Sequence, residues 1–146
     1  MAAEGGKKVL VETDFIFGLN PRDILHPYVE RIISLHTQGL LKCYLVGTAL
    51  IEFRTVLYSH GLKSHSVHEA IAIVIDKLNE YKIEVISVKP NHILSADFLR
   101  TKYPQLSFFD ALHAGVAYEE KVLLVSYDKT YSQIKEISWK RITEFQ

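Results

Sequence analysis

The sequence predicts an α/β fold, a three-layer α/β/α arrangement around a central, mainly parallel sheet. Three observations point there. Short β-branched apolar runs recur along the chain, longer segments with apolar residues at helical spacing lie between them, and the strand-like runs are apolar with little interruption, as in strands covered on both faces. Strands joined through helices pair in parallel, and right-handed connections pack the helices over both faces. With 146 residues, 48% hydrophobic and 23% charged, the chain reads as one domain over 1–146. A domain of this size buries roughly 68–70% of its unfolded surface and needs no disulfide or metal merely to hold its fold.

Residues 8–13, Lys-Val-Leu-Val-Glu-Thr, form the first strand, and Gly18, Asn20 and Pro21 punctuate the loop after it. Residues 24–38 set Val29, Ile32, Ile33 and Leu35 among polar residues and read as a helix stopped by Gly39. Residues 43–46 are a second strand. Thr48 caps a helix over 48–60, and Ser66 caps another over 66–81, where Ile71, Val74, Ile75 and Leu78 make a core stripe. A third strand over 83–88 leads to a helix over 90–103, opened by Pro90 and closed by Pro104. A helix over 107–120, a fourth strand over 122–126, a short helix and a last strand within 137–142 complete the chain.

Seventeen Lys and Arg balance seventeen Asp and Glu, so net charge supplies no global attraction to nucleic acid or an anionic membrane. The longest apolar run, residues 70–75, is far too short to cross a bilayer, and the first eight residues hold no apolar signal core; a cytoplasmic protein without a membrane partner is expected. The single cysteine, Cys43, can close no intrachain disulfide and falls in a buried strand, where it packs rather than attacks. Several familiar sites fail on spacing. No Gly-x-Gly-x-x-Gly follows the first strand, Gly61-Leu-Lys-Ser lacks the glycine before its lysine, and His68-Glu69 would need a second histidine where Ala72 stands. His60, His65 and His68 read as polar residues around a helix–helix turn.

The acidic residues are more informative, because an open parallel sheet gathers its ligands beyond the carboxyl ends of its strands. Glu12 and Asp14 follow strand one: if the strand persists both project to one side, and if Asp14 has left it, Asp14 caps the following turn. Glu52 sits beside the helical stripe of Leu50, Phe53, Val56 and Leu57 rather than opposite it. In the helix over 107–120, Phe108, Phe109, Leu112 and Val116 read as the core face, while Asp110 shares the other side with His113, Ala114 and Ala117. Asp128 stands just past strand four. Converging carboxylates repel unless a cation neutralises them, and oxygen-only ligands favour Mg²⁺ or Mn²⁺ over zinc. Such a site suits phosphodiester hydrolysis by metal-activated water.

Residues 9–16 (Val-Leu-Val-Glu-Thr-Asp-Phe-Ile), Ala49-Leu-Ile-Glu52, Phe109-Asp-Ala-Leu-His-Ala114 and Leu124-Val-Ser-Tyr-Asp128, with Tyr131 after it, stand in the order and spacing of a PIN-domain ribonuclease, and the chain resembles that family, which includes the VapC toxins. The resemblance implies a parallel sheet flanked by helices, a pocket holding Mg²⁺ or Mn²⁺, hydrolysis of RNA, a homodimer and, for a toxin, an antitoxin partner. It makes Glu12, Asp14, Glu52, Asp110 and Asp128 the catalytic and metal-holding residues, with Thr13 and Ser126 in support. One departure stands out: the family ends strand one with Asp-Thr or Asp-Ser, and Glu12 occupies that place here, so both Glu12 and Asp14 are expected as first ligands. That departure also motivates the alternative, a degenerate member that binds RNA or a protein without cleaving. The paired helices over residues 48–81 resemble those that engage partners in toxin members. Arg54, Lys129, Lys135, Lys140 and Arg141 are the expected phosphate contacts.

Overall fold

Five short strands, all parallel, pair in the order β3-β2-β1-β4-β5. The computed structural model describes residues 6–145; residues 1–5, which hold part of the N-terminal segment read above for a signal core, lie outside them. The chain runs β1 (Lys7–Val11), α1 (Thr13–Phe17), α2 (His26–Thr37), β2 (Leu41–Val46), α3 (Gly47–Ser59), α4 (Ser64–Tyr81), β3 (Glu84–Ile86), α5 (Pro90–Lys102), α6 (Phe108–Glu120), β4 (Leu123–Ser126), a 3₁₀ turn over Lys129–Gln133, β5 (Trp139–Arg141) and a closing 3₁₀ turn over Ile142–Glu144. Among the described residues no helix is long and apolar enough to cross a membrane.

The strand order explains where function can sit. From β1 the chain steps outward to β2 and then β3, and from β3 it returns across the sheet to β4 on the far side of β1. Right-handed connections in opposite directions put their helices on opposite faces, giving the three layers the sequence predicts. They also part between β1 and β4, leaving a crevice at the carboxyl ends of those two strands, where ligands of open parallel sheets bind. Both strands are core: Val9, Leu10 and Val11 are fully buried, as are Leu124, Val125 and Ser126.

Several local expectations change for identifiable reasons. Residues 12 and 13 leave the strand, and a short helix, α1, occupies what read as loop. Its cap is Glu12 and not Asp14: the Glu12 side chain accepts the Asp14 backbone N–H, so the carboxylate serves the turn that redirects the chain. Thr48 does not cap α3, which begins one residue earlier; Thr48 is buried and its hydroxyl faces another helix. Helix α4 begins at Ser64, before the expected Ser66, and buries Val67, Val74 and Leu78 while Ile75 stays exposed.

Helix α6 turns the expected way round only in part. Val116 is buried, but Phe108 is 64% exposed, and the interior side is Ala111, His113, Ala114, Gly115 and Ala117. The reason is the close approach of α5. A Cβ on Gly115 would lie 2.7 Å from the His92 carbonyl oxygen and 2.8 Å from the Ala96 nitrogen, so only glycine lets the two backbones meet. The side that Asp110 shares with His113, Ala114 and Ala117, read as opposite the core face, is therefore the packing side of α6, and it carries Asp110 and His113 inward together.

This contact yields a direct test. Gly115→Ala must push α5 from α6 and is expected to cost about 1–3 kcal/mol, the usual cost of overpacking, measured by urea unfolding. An unchanged midpoint would contradict the close-packed contact.

Candidate functional site

Val11 pairs with Leu45 of β2 and Val125 of β4, so Glu12 is the first residue beyond the sheet and lies level with Ser126. The Ser126 hydroxyl, itself fully buried, stands 2.7 Å from Glu12 Oε2 and 3.1 Å from Asp14 Oδ2, and it accepts the Asp128 N–H at 3.0 Å. Asp14 Oδ2 also accepts the Tyr127 N–H at 2.6 Å. The end of β4 is thus tied to the start of α1 through two carboxylates and one serine. Asp128 then caps the following 3₁₀ turn, its Oδ1 accepting the Thr130 N–H at 2.9 Å.

The second group comes from α3 and α6. Glu52 Oε1 accepts from the Thr13 hydroxyl at 2.5 Å and lies 2.8 Å from His113 Nε2. His113 is fully buried, and its Nδ1 is 2.7 Å from the Thr48 hydroxyl. In the neutral ring this network assigns Nε2–H as donor to Glu52 and Nδ1 as acceptor from Thr48. One helical turn earlier on α6, Asp110 Oδ1 accepts from the buried Tyr131 hydroxyl at 3.1 Å, while the Asp110 N–H is held by Ser107, the cap of the helix, at 3.2 Å.

All five expected carboxylates, Glu12, Asp14, Glu52, Asp110 and Asp128, line one cleft of about 540 Å³, together with Thr13. Ser126 stands behind it. Of the five expected basic residues, Lys129 and Arg141 line the cleft. The other three lie elsewhere. Arg54, about 200° around α3 from Glu52, stacks over Tyr58 at 4.9 Å. Lys140 precedes Arg141 on β5, so its side chain leaves the opposite face, over Phe145 at 4.5 Å. Lys135 is exposed, its backbone N–H bonded to the Tyr103 hydroxyl near the end of α5 at 3.2 Å.

Crowding away from water shows in the titration of these groups. Burial, reinforced by the Asp14 charge, pushes Glu12 up to about 8 from its usual 4.5. Burial likewise raises Asp14, although the Tyr127 and Ser126 hydrogen bonds oppose it. Asp110 is raised by burial and by the Asp128 charge. Glu52 goes the other way: burial alone would raise it, but the His113 and Thr13 hydrogen bonds outweigh burial and lower it. The arrangement suits a divalent cation on two further counts. Asp14 Oδ1 is buried without a hydrogen-bond partner. Glu12 and Glu52 each offer a carboxylate oxygen, within 4.8 Å of one another and of His113, whose two ring nitrogens are already engaged by Glu52 and Thr48.

Sequence reasoning placed His113 on the Asp110 side of its helix without giving it a role, and it missed Thr48 and Tyr131 as supports. The signal for His113 was its i, i+3 spacing from Asp110 with small residues around it. For Thr48 no signal existed, since its partner lies 65 positions away in sequence.

A parallel three-layer α/β protein with a carboxylate cleft at its switch point defines the class. The chain belongs to the PIN domain family, whose model matches residues 9–137. Comparison with curated protein sequences gives no match. Among solved structures the chain is similar to one in the VapBC2 complex of Rickettsia felis bound to a promoter DNA fragment, with 16% identity, a TM-score of 0.70, and 92% of this chain and 98% of that chain covered. It is similar to one in a toxin–antitoxin complex from Klebsiella pneumoniae, with 12% identity, a TM-score of 0.60, and 88% and 93% covered. It is also similar to VapC20 of Mycobacterium tuberculosis, a toxin that cleaves the sarcin–ricin loop, with 20% identity, a TM-score of 0.64, and 87% and 95% covered. At these identities the likeness is one of fold.

The raised Glu12 pKa predicts how stability depends on pH. The folded chain holds that proton more tightly than the unfolded one, so the stability it contributes is complete below about 4.5 and is lost as pH rises through about 8. Without divalent metal, the thermal midpoint is expected to fall by several degrees across that window, and Glu12→Gln is expected to flatten the fall. A slope unchanged by Glu12→Gln would show that Glu12 titrates normally.

Proposed function

We propose that this protein is a metal-dependent endoribonuclease that hydrolyses RNA phosphodiester bonds, and that it serves as the toxin of a toxin–antitoxin pair. The observation that carries the reading is the convergence of five carboxylates from four chain segments on one cleft at the switch point of a PIN fold. Glu12, Asp14, Glu52, Asp110 and Asp128 would hold the cation, Mg²⁺ or Mn²⁺, which the all-oxygen donor set of these residues favours. When bound, the cation supplies Lewis-acid shielding of the phosphate and lowers the pKa of an attacking water.

The rest of the work falls to the chain. Ser126 orients Glu12 and Asp14 together, Thr13 and His113 lock one oxygen of Glu52, and Tyr131 fixes Asp110. Each hydrogen bond holds a carboxylate in place before substrate arrives, so little reorganisation accompanies the reaction. Lys129 and Arg141 meet the phosphate backbone at the rim. No covalent intermediate forms. Cys43 is fully buried and burial pushes its thiol far up, so it offers no nucleophile.

Glu12 is built into the cluster rather than displaced from it, which favours the cleaving enzyme over a degenerate RNA-binding member. The toxin role draws support from the similar chains in toxin–antitoxin assemblies. An antitoxin protein is accordingly the expected partner of a homodimeric enzyme. Incubation with RNA and Mn²⁺ is expected to give cleavage that a chelator abolishes and that Asp110→Asn lowers about a hundredfold or more. Cleavage indifferent to both would sink the metal mechanism.

A further inference from the structure

Tyr127 stands in sequence between two residues of the cluster, Ser126 and Asp128, lines the carboxylate cleft and is 44% exposed. Its backbone is bolted down: the Tyr127 N–H is given to Asp14 Oδ2 at 2.6 Å, and the Asp128 N–H that follows is given to Ser126 Oγ at 3.0 Å. One side of the ring is covered by the Arg141 guanidinium, whose carbon lies 4.4 Å from the ring centroid. Ser126 pairs with Arg141 between β4 and β5, so Tyr127 is the residue that directly follows the partner of Arg141. Arg141 Nε is buried without a hydrogen-bond partner, so at that atom stacking, and not a hydrogen bond, is what the structure provides.

We propose that Tyr127, backed by Arg141, is a stacking platform that receives one unpaired nucleobase of a single-stranded RNA beside the scissile phosphate. The inference rests on the ribonuclease reading and adds the residues that receive a base beside the cut. A partly exposed aromatic ring with a guanidinium over one face can stack a base without reading its edge. Bases inside a duplex are already stacked and unavailable, so the platform selects single strands, loops or bulges. The position of Tyr127 between Ser126 and Asp128 places that base next to the phosphate being cut, and Lys129 on the same segment meets the adjoining backbone.

The test uses a short fluorescein-labelled single-stranded RNA, the same strand annealed to its complement, and a series with one abasic residue moved along it. Binding is read by anisotropy with Ca²⁺ present, and cleavage with Mn²⁺. Tyr127→Ala is expected to weaken single-strand binding about tenfold, to act on KM rather than kcat, and to leave calorimetric Mn²⁺ affinity as in the wild type; Tyr127→Phe restores the binding. One abasic position should reproduce the loss in the wild type and add nothing in Tyr127→Ala. Equal single-strand affinity in wild type and Tyr127→Ala, or additive losses at every abasic position, overturns the platform while cleavage by the wild type leaves the nuclease reading standing. Tyr127-dependent binding without any cleavage does the reverse. A wild type that neither binds nor cuts overturns both.

Discussion

Five carboxylates share one crevice at the ends of β1 and β4, and their mutual repulsion away from water is the constraint on which the rest of the site depends. Such a cluster is tolerable only if each charge is hydrogen-bonded, protonated or offset by a cation. All three devices bear on this cleft. Glu52 is ionised and held by Thr13 and His113, Glu12 is driven towards its protonated form, and Asp14 keeps one oxygen buried and unanswered. The fold places the strain where a ligand can relieve it, and the apolar strands beneath give the cluster a floor that water does not reach.

Holding the cluster in place requires contacts distant in sequence. Ser126 reaches Glu12, His113 joins Glu52 to Thr48, and Tyr131 reaches back to Asp110. These bonds join the start of α1, β4, α3, α6 and the 3₁₀ turn after β4, and α6 is anchored by the tight α5–α6 contact at Gly115. Packing and chemistry are thereby coupled. The glycine that lets α5 approach α6 helps fix the helix that carries Asp110 and His113 into the cleft.

Much of this was legible in the sequence, and the parts that were not have common physical causes. Apolar runs marked β1, β2 and β4 because strands buried on both faces admit few other residues, and the acidic residues after them were visible as carboxylates at strand ends. The glutamate at position 12 read as a departure, yet its extra methylene lets one residue cap α1 and still reach Ser126. Helix α6 was turned about because Phe108 and Phe109 outweigh alanine on any hydropathy pattern, whereas close helix packing selects small residues. Arg54, Lys135 and Lys140 could not be told from Lys129 and Arg141 by residue type, since strand parity and helical angle decide which cation faces the cleft.

The central claim is that the carboxylate cluster is a divalent cation site, and calorimetric titration with Mn²⁺ tests it most directly when repeated near neutral pH in two buffers of different ionisation enthalpy. Saturable binding with net proton release is the predicted result, because the proton that Glu12 holds up to about 8 must leave as the cation arrives. The absence of saturable binding, or binding that Asp110→Asn and Glu12→Gln together leave unchanged, would contradict it.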